Sequence, residues 1–151
     1  MALSTSKPIL LATGMTAGSN VVLEVGVKLA VHLGAPLVVL HVVTEGVLAE
    51  SRDSLPKERA YVDVIVGERT QDLREQIERI SDQNPPGCAY RVRVAAEGEP
   101  GAQILETLRR EAFEYAVIGV RNRSRVGKLI LGSVTQDVLL GSPVPVVAVP
   151  I

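Results

Sequence analysis

The sequence predicts a single α/β domain of the doubly wound type, a five-stranded parallel sheet with helices on both faces. Three observations carry that expectation. Short apolar runs alternate with helical periodicities along the whole chain. Those runs are nearly continuous in Val, Ile and Leu, as strands buried on both faces are. Aromatic residues are scarce, with three Tyr, one Phe and no Trp among 151 residues, so the core is built from aliphatic side chains. A chain of this length buries a full core in one domain, taken as residues 1–151.

The elements follow in order. "PILLAT" (8–13), ending at Gly14, has the composition of a buried strand. Residues 19–33 place Val22, Val25, Gly26, Leu29, Ala30 and Leu33 on one helical face, and "GAP" stops that helix. "LVVLHVV" (37–43) is a second buried strand, and residues 44–59 are a polar loop. From Tyr61 to Ile80 the positions Val62, Ile65, Val66, Leu73, Ile77 and Ile80 again fit one helix face. Its other face carries Glu68, Asp72, Glu75 and Arg79, a solvated surface with one favourable pair between Glu75 and Arg79. "NPPG" breaks the chain before "AYRVRVAAE" (89–97), the third strand. A helix opening at Pro100 turns Ala102, Leu105, Leu108 and Ala112 inward. "YAVIGV" is the fourth strand, residues 132–141 form a short helix, and "VPVVAVP" (144–150) is the last strand. In such a sheet, ligands bind outside the carboxyl ends of the strands, where the strand order reverses. Thr13-Gly14, the end of "LHVV" and Gly119 all lie at carboxyl ends, which locates one crevice.

Charge and cysteine content narrow the function. Sixteen basic and 17 acidic residues give a net charge of −1, so no global field favours nucleic acid or an acidic membrane. No segment is long enough to span a bilayer. Cys88 is the only cysteine, which excludes an intramolecular disulfide and suits a reducing cytosol, with the thiol as inert filler. The opening residues lack the layout of a secretory leader, so the expected compartment is the cytoplasm.

Against that neutral background "VIGVRNRSRVGKLILGS" (117–133) stands out, with Arg121, Arg123, Arg125 and Lys128 inside eight positions. The known phosphate loops can be tested against it. "ATGMTAGSN" does not supply the glycine fingerprint of a dinucleotide-binding fold, and Gly127-Lys128-Leu129 lacks the hydroxyl of a Walker loop. A response regulator would want an acid at the end of the first strand, where there is none. A flavodoxin-like loop is loosely approached by "ATGMTAGS", without the aromatics that flank a flavin. Catalysis is not expected. His32 belongs on a helix surface and His41 inside an apolar strand as a satisfied imidazole, and no Ser-His-acid set, carboxylate pair or metal cluster can be assembled.

The whole layout resembles the universal stress protein family, from "PILLAT" through "LVVLHVV", "EGEPGAQIL" and "AVIGV" to "PVPVVAVP". Members that bind ATP carry G-x-x-G, nine residues, then G-S or G-T. The corresponding positions here are Gly119, Asn122 and Gly132-Ser133, so one glycine is replaced. Gly119 keeps a Cβ out of a ligand's way, and Asn tolerates the left-handed backbone better than other non-glycine residues. Gly132-Ser133 opens a helix whose unpaired N–H groups favour an anion. The resemblance implies strand order 3-2-1-4-5 and an adenine nucleotide, ATP with or without Mg, bound by a module of stress-response signalling. It implies binding residues Ala12, Thr13, Gly14, Val42, Gly119, Arg121, Asn122, Arg123, Ser124, Gly132, Ser133 and Val134. Val42 takes the position that recognises adenine through backbone groups. ATP-binding members carry an acid after the first strand, as in A-T-D-G-S; this chain has Gly14 there. That change removes a polar anchor or a route to a metal, or it relieves repulsion of a triphosphate, and the sequence leaves both open. The last strand, bracketed by Pro145 and Pro150 with an apolar run Val146 to Val149, reads by itself as a guarded edge strand; the resemblance implies that it pairs with its counterpart in a homodimer. The alternative is a dimeric interaction scaffold that has lost the nucleotide.

Overall fold

The computed structural model describes residues 6–44, 58–121 and 131–151. Five strands, β1 (Ile9–Ala12), β2 (Leu37–Val42), β3 (Tyr90–Ala95), β4 (Ala116–Val120) and β5 (Val146–Pro150), form one sheet in the order β3-β2-β1-β4-β5. All four neighbouring pairs are parallel, with Leu11 facing Val39 on one side and Val117 on the other. Four helices connect them: α1 (Ser19–Leu33), α2 (Glu58–Asp82), α3 (Pro100–Arg110) and α4 (Ser133–Gly141). The expected fold and strand order are both found. α2 starts before the expected residue 61, inside what the sequence presents as polar loop.

Strand alternation sorts the core into two layers. Ile9, Leu11, Leu37, Val39 and Val117 meet α1 and α2 through Val22, Leu23, Val27, Leu73 and Ile77. Leu10, Val38, Leu40, Ala116 and Ile118 meet α3 and α4 through Ile104, Leu108 and Val138. β1 is sealed on both faces, and this is why its run is apolar without a break.

Several inward faces differ from the periodicity. In α1 the buried set is Ser19, Val22, Leu23, Gly26, Val27 and Ala30, while Leu33 is 41% exposed. The stripe is turned by the contact at Gly26, where a Cβ would lie 2.2 Å from Leu11 Cδ1. In α3, Gly101, Ile104 and Leu108 face inward; Ala102 and Ala112 are exposed, and Ala112 lies beyond the helix. Leu105 turns instead toward α4, close enough that a Cβ on Gly141 would meet its Cδ1 at 2.9 Å. On α2, Arg79 Nε donates to the Glu75 carbonyl at 3.4 Å, and the Glu75 carboxylate accepts from Gln71 Nε2 at 3.0 Å, so the expected charge pair is replaced by two local bonds. In β5, Val149 is buried in the layer under α1, leaving Ala148 as the exposed member of the expected apolar run.

Two glycines separate packing from helix propensity. Gly26→Ala forces Leu11 out of its position and should lower stability by about 1–3 kcal/mol. Gly67→Ala, within α2 where a Cβ meets nothing within 4 Å, should raise it by about 0.5–1 kcal/mol. Urea midpoints measure both, and a stabilised Gly26→Ala protein would refute the close packing of α1 on β1.

Candidate functional site

β1 and β4 are neighbours whose following connections leave in opposite directions, toward β2 and toward β5. Their carboxyl ends diverge into a cleft of about 550 Å³, a size that suits a small-molecule ligand. Ala12, Thr13, Gly14, Val42, Gly119, Arg121, Gly132, Ser133 and Val134 all line it. Nine of the twelve expected positions therefore meet in one place. Asn122, Arg123 and Ser124, with Arg125 and Lys128, lie outside the described residues.

Thr13 is the best-anchored residue of the rim. Its N–H donates to the Leu40 carbonyl at 3.0 Å, continuing the sheet one residue beyond β1. Its carbonyl accepts from His41 Nδ1 at 2.8 Å, and its Oγ1 accepts from the Met15 N–H at 3.2 Å. Met15 then takes a left-handed φ of 53°, uncommon for a side chain of its size. Ser19 Oγ accepts from the Thr16 N–H at 2.9 Å, and the Ser19 N–H donates back to the Thr16 carbonyl at 3.0 Å, closing the loop onto α1.

Two arginines hold this loop from opposite sides. From the end of β4, Arg121 Nη2 donates to Thr16 Oγ1 at 2.9 Å and to the Ala17 carbonyl. A guanidinium has five N–H donors, so one nitrogen spent on the loop leaves others for a ligand. From α2, Arg69 Nη1 reaches Met15 Sδ at 4.0 Å, a weak acceptor, and the side chain also lines the cleft. Arg69 is the residue that the sequence reading passes over. It stands four residues after Ile65 and four before Leu73, on the apolar stripe of the helix, and a charge at such a position was the available clue.

Across the cleft, α4 begins after its N-cap Gly132, and no side-chain cap bonds its first N–H groups. Ser133, Val134 and Thr135 line the cleft at that terminus, and the helix dipole there favours negative charge. The two site glycines near the strand ends have different reasons. A Cβ at Gly119 would lie 2.9 Å from Val22 Cγ2 and 3.0 Å from Ile151 Cδ1, so packing against α1 and Ile151 is by itself a reason for glycine there. At Gly14 a Cβ would meet nothing nearer than Thr16 Cγ2 at 3.7 Å, and φ is not left-handed. A side chain fits at 14; the missing carboxylate is a chemical change, not a steric one.

His41 is buried and its Nδ1–H is satisfied by Thr13, as the sequence suggested. Burial pushes its pKa below the ordinary value of 6.5, the Thr13 bond opposes this, and the nearby Arg69 charge adds to it. Cys88 is half-buried, and burial pushes its thiol up, away from reactivity. Among the described residues no three His, Cys, Asp or Glu gather where they could hold a metal.

Because the unfolded chain binds a proton at His41 more readily than the fold does, stability is complete above about pH 6.5 and falls on acidification through the lowered folded value. His41→Asn, whose amide can donate to the same Thr13 carbonyl, should flatten the fall in urea midpoint between about pH 7 and pH 5. An unchanged slope would remove His41 from the account.

The family model for the universal stress protein family matches residues 5–150. A universal stress protein from Mycolicibacterium smegmatis is 34% identical over 90 residues, which span 60% of this chain and 66% of that relative. The structure of a universal stress protein from Archaeoglobus fulgidus superposes with a TM-score of 0.69 at 26% identity, covering 94% of this chain and 97% of its own. A universal stress protein from the same organism in complex with dAMP gives a TM-score of 0.60 at 19% identity over 94% and 96% of the two chains. No helix among the described residues is long and apolar enough to cross a membrane. With its sheet order, its cleft and a match across nearly its whole length, the chain belongs to the universal stress protein family.

Proposed function

We propose that this protein is an ATP-binding module of stress-response signalling that acts as a cytosolic homodimer. One observation carries the reading: the uncapped start of α4 at Gly132-Ser133 faces, across a single cleft, the Thr13-Gly14 rim and Val42 at the end of β2. Phosphates would be received by the N–H groups of Ser133 and Val134 and by the Ser133 hydroxyl, with Arg121 adding charge-assisted donors. Adenine would pair with backbone groups at Val42, and the ribose would lie between Ala12 and Gly119. Asn122, Arg123 and Ser124 are added to the phosphate contacts on the strength of the resemblance alone. The complex of a related protein with dAMP supports an adenine nucleotide as the ligand class.

Calorimetric titration of nucleotide-stripped protein with ATP should give saturable heat. Ser133→Ala should weaken binding about tenfold, the worth of one hydrogen bond to a charged group, and Arg123→Ala should weaken it further. No heat at about 1 mM ATP would put binding weaker than about −4 kcal/mol. That result would favour the nucleotide-free scaffold, for which Gly14 and Asn122 are the marks of loss.

β5 ends the sheet, and its exposed Ala148 and Pro150 lie on the free edge that a second copy would cover. Ala148→Asp should shift sedimentation velocity from dimer to monomer with the urea midpoint kept. A dimer that persists would move the contact elsewhere.

A further inference from the structure

We infer that this cleft takes its nucleotide as the metal-free polyanion, with Arg69 and Arg121 supplying the positive charge that a divalent ion would otherwise bring. The inference rests on the nucleotide reading above and adds to it the ionic form of the ligand and a specificity-determining residue, Arg69.

Magnesium does not fit the donor set. It demands near-octahedral oxygen ligands and is usually held by one or two carboxylates together with the substrate phosphates. Among the described residues lining the cleft there are hydroxyls, one imidazole and two guanidinium groups, and no side-chain carboxylate. Gly14, where the resemblance would place an acid, has room for a side chain and carries none. His41, the lining imidazole, is committed through Nδ1 to the Thr13 carbonyl.

The charge of the cleft points the same way. Arg69 is half-buried and lines the cleft from the α2 side. Its one hydrogen-bond partner among the described residues is the Met15 sulfur, and no carboxylate there forms an ion pair with it. A guanidinium on an apolar stripe has lost part of its hydration with, among the described residues, only a thioether in return, so an incoming anion gains more from it than from a solvated cation. Arg121 gives the opposite wall a second cation, and the α4 terminus adds its partial positive charge. Chelation by magnesium cancels part of the charge on a triphosphate, and with it part of the attraction to both arginines. The cleft therefore discriminates between two forms of one nucleotide by charge.

The test titrates ATP into the full-length protein in EDTA and again in excess magnesium at matched ionic strength. Wild type should bind the metal-free form about tenfold more tightly, the ratio that a modest charge interaction near a protein surface supplies. Arg69→Gln, which keeps a polar side chain of similar reach, should weaken metal-free binding more than magnesium-loaded binding and narrow the gap. Gly14→Asp, placed where a side chain fits, should invert the order. Urea midpoints for both variants separate a binding effect from a folding one. Equal affinity in the two media, or tighter binding with magnesium, would overturn this inference and leave nucleotide binding standing. An unaltered gap in Arg69→Gln would overturn the role of Arg69. No binding in either medium would overturn the nucleotide reading itself.

Discussion

The position of Thr13 governs the geometry of the cleft. A strand buried on both faces cannot end in an unsatisfied turn, because every main-chain group released from the ladder must find a partner. β1 meets that demand by borrowing one more sheet bond from Leu40 and by setting its next carbonyl on His41. The imidazole does for the strand end what a further ladder residue would have done. It also explains a histidine inside an otherwise aliphatic strand: the site needs a donor that stays neutral when buried, and burial keeps it so. Once Thr13 is fixed, its hydroxyl fixes the Met15 N–H, and the chain is committed to the left-handed turn that carries it away from the sheet and into α1.

The loop that results is held across the switch point by residues far apart in sequence. Arg121 ties it to β4, and Arg69 touches it from α2. The rim of the cleft is thus assembled from both sides of the strand-order reversal, and its shape depends on the same side chains that give it charge. Arg121 in particular has two demands on one guanidinium, the loop carbonyl of Ala17 and any anion that enters. Its five donors let it answer both.

Much of this was legible in the sequence, and the parts that were not share a physical cause. The continuous apolar runs, the Gly34 stop after α1 and the Pro100 start of α3 are local properties, and they give the elements and their order. Strand order and the convergence of Thr13, Val42, Gly119 and Ser133 follow from rules about parallel sheets and from resemblance. Which face of a helix turns inward is not local. Leu23 and Val27 are buried in place of Leu33 because Gly26 lets α1 settle directly on Leu11. Leu105 leaves the core because Gly141 offers it a seat on α4. Both contacts join residues distant in the chain, so periodicity alone brackets the face without choosing it. Arg69 escaped for the opposite reason. Counting apolar positions leaves out the charged one that sits among them, although such a charge calls for a partner.

Gly14 and Arg69 are best understood together. Glycine at 14 is required neither by backbone conformation nor by crowding, since φ is not left-handed and a Cβ would meet only Thr16. A carboxylate there would share the cleft with two arginines, and its field would be spent on them before any ligand arrived. Without it, both guanidinium groups present their charge to the cleft, and the uncapped terminus of α4 adds to the same sign. The glycine at 14 and the cation on an apolar stripe thus act in one electrostatic sense, carried on a sheet whose strand order is that of the family.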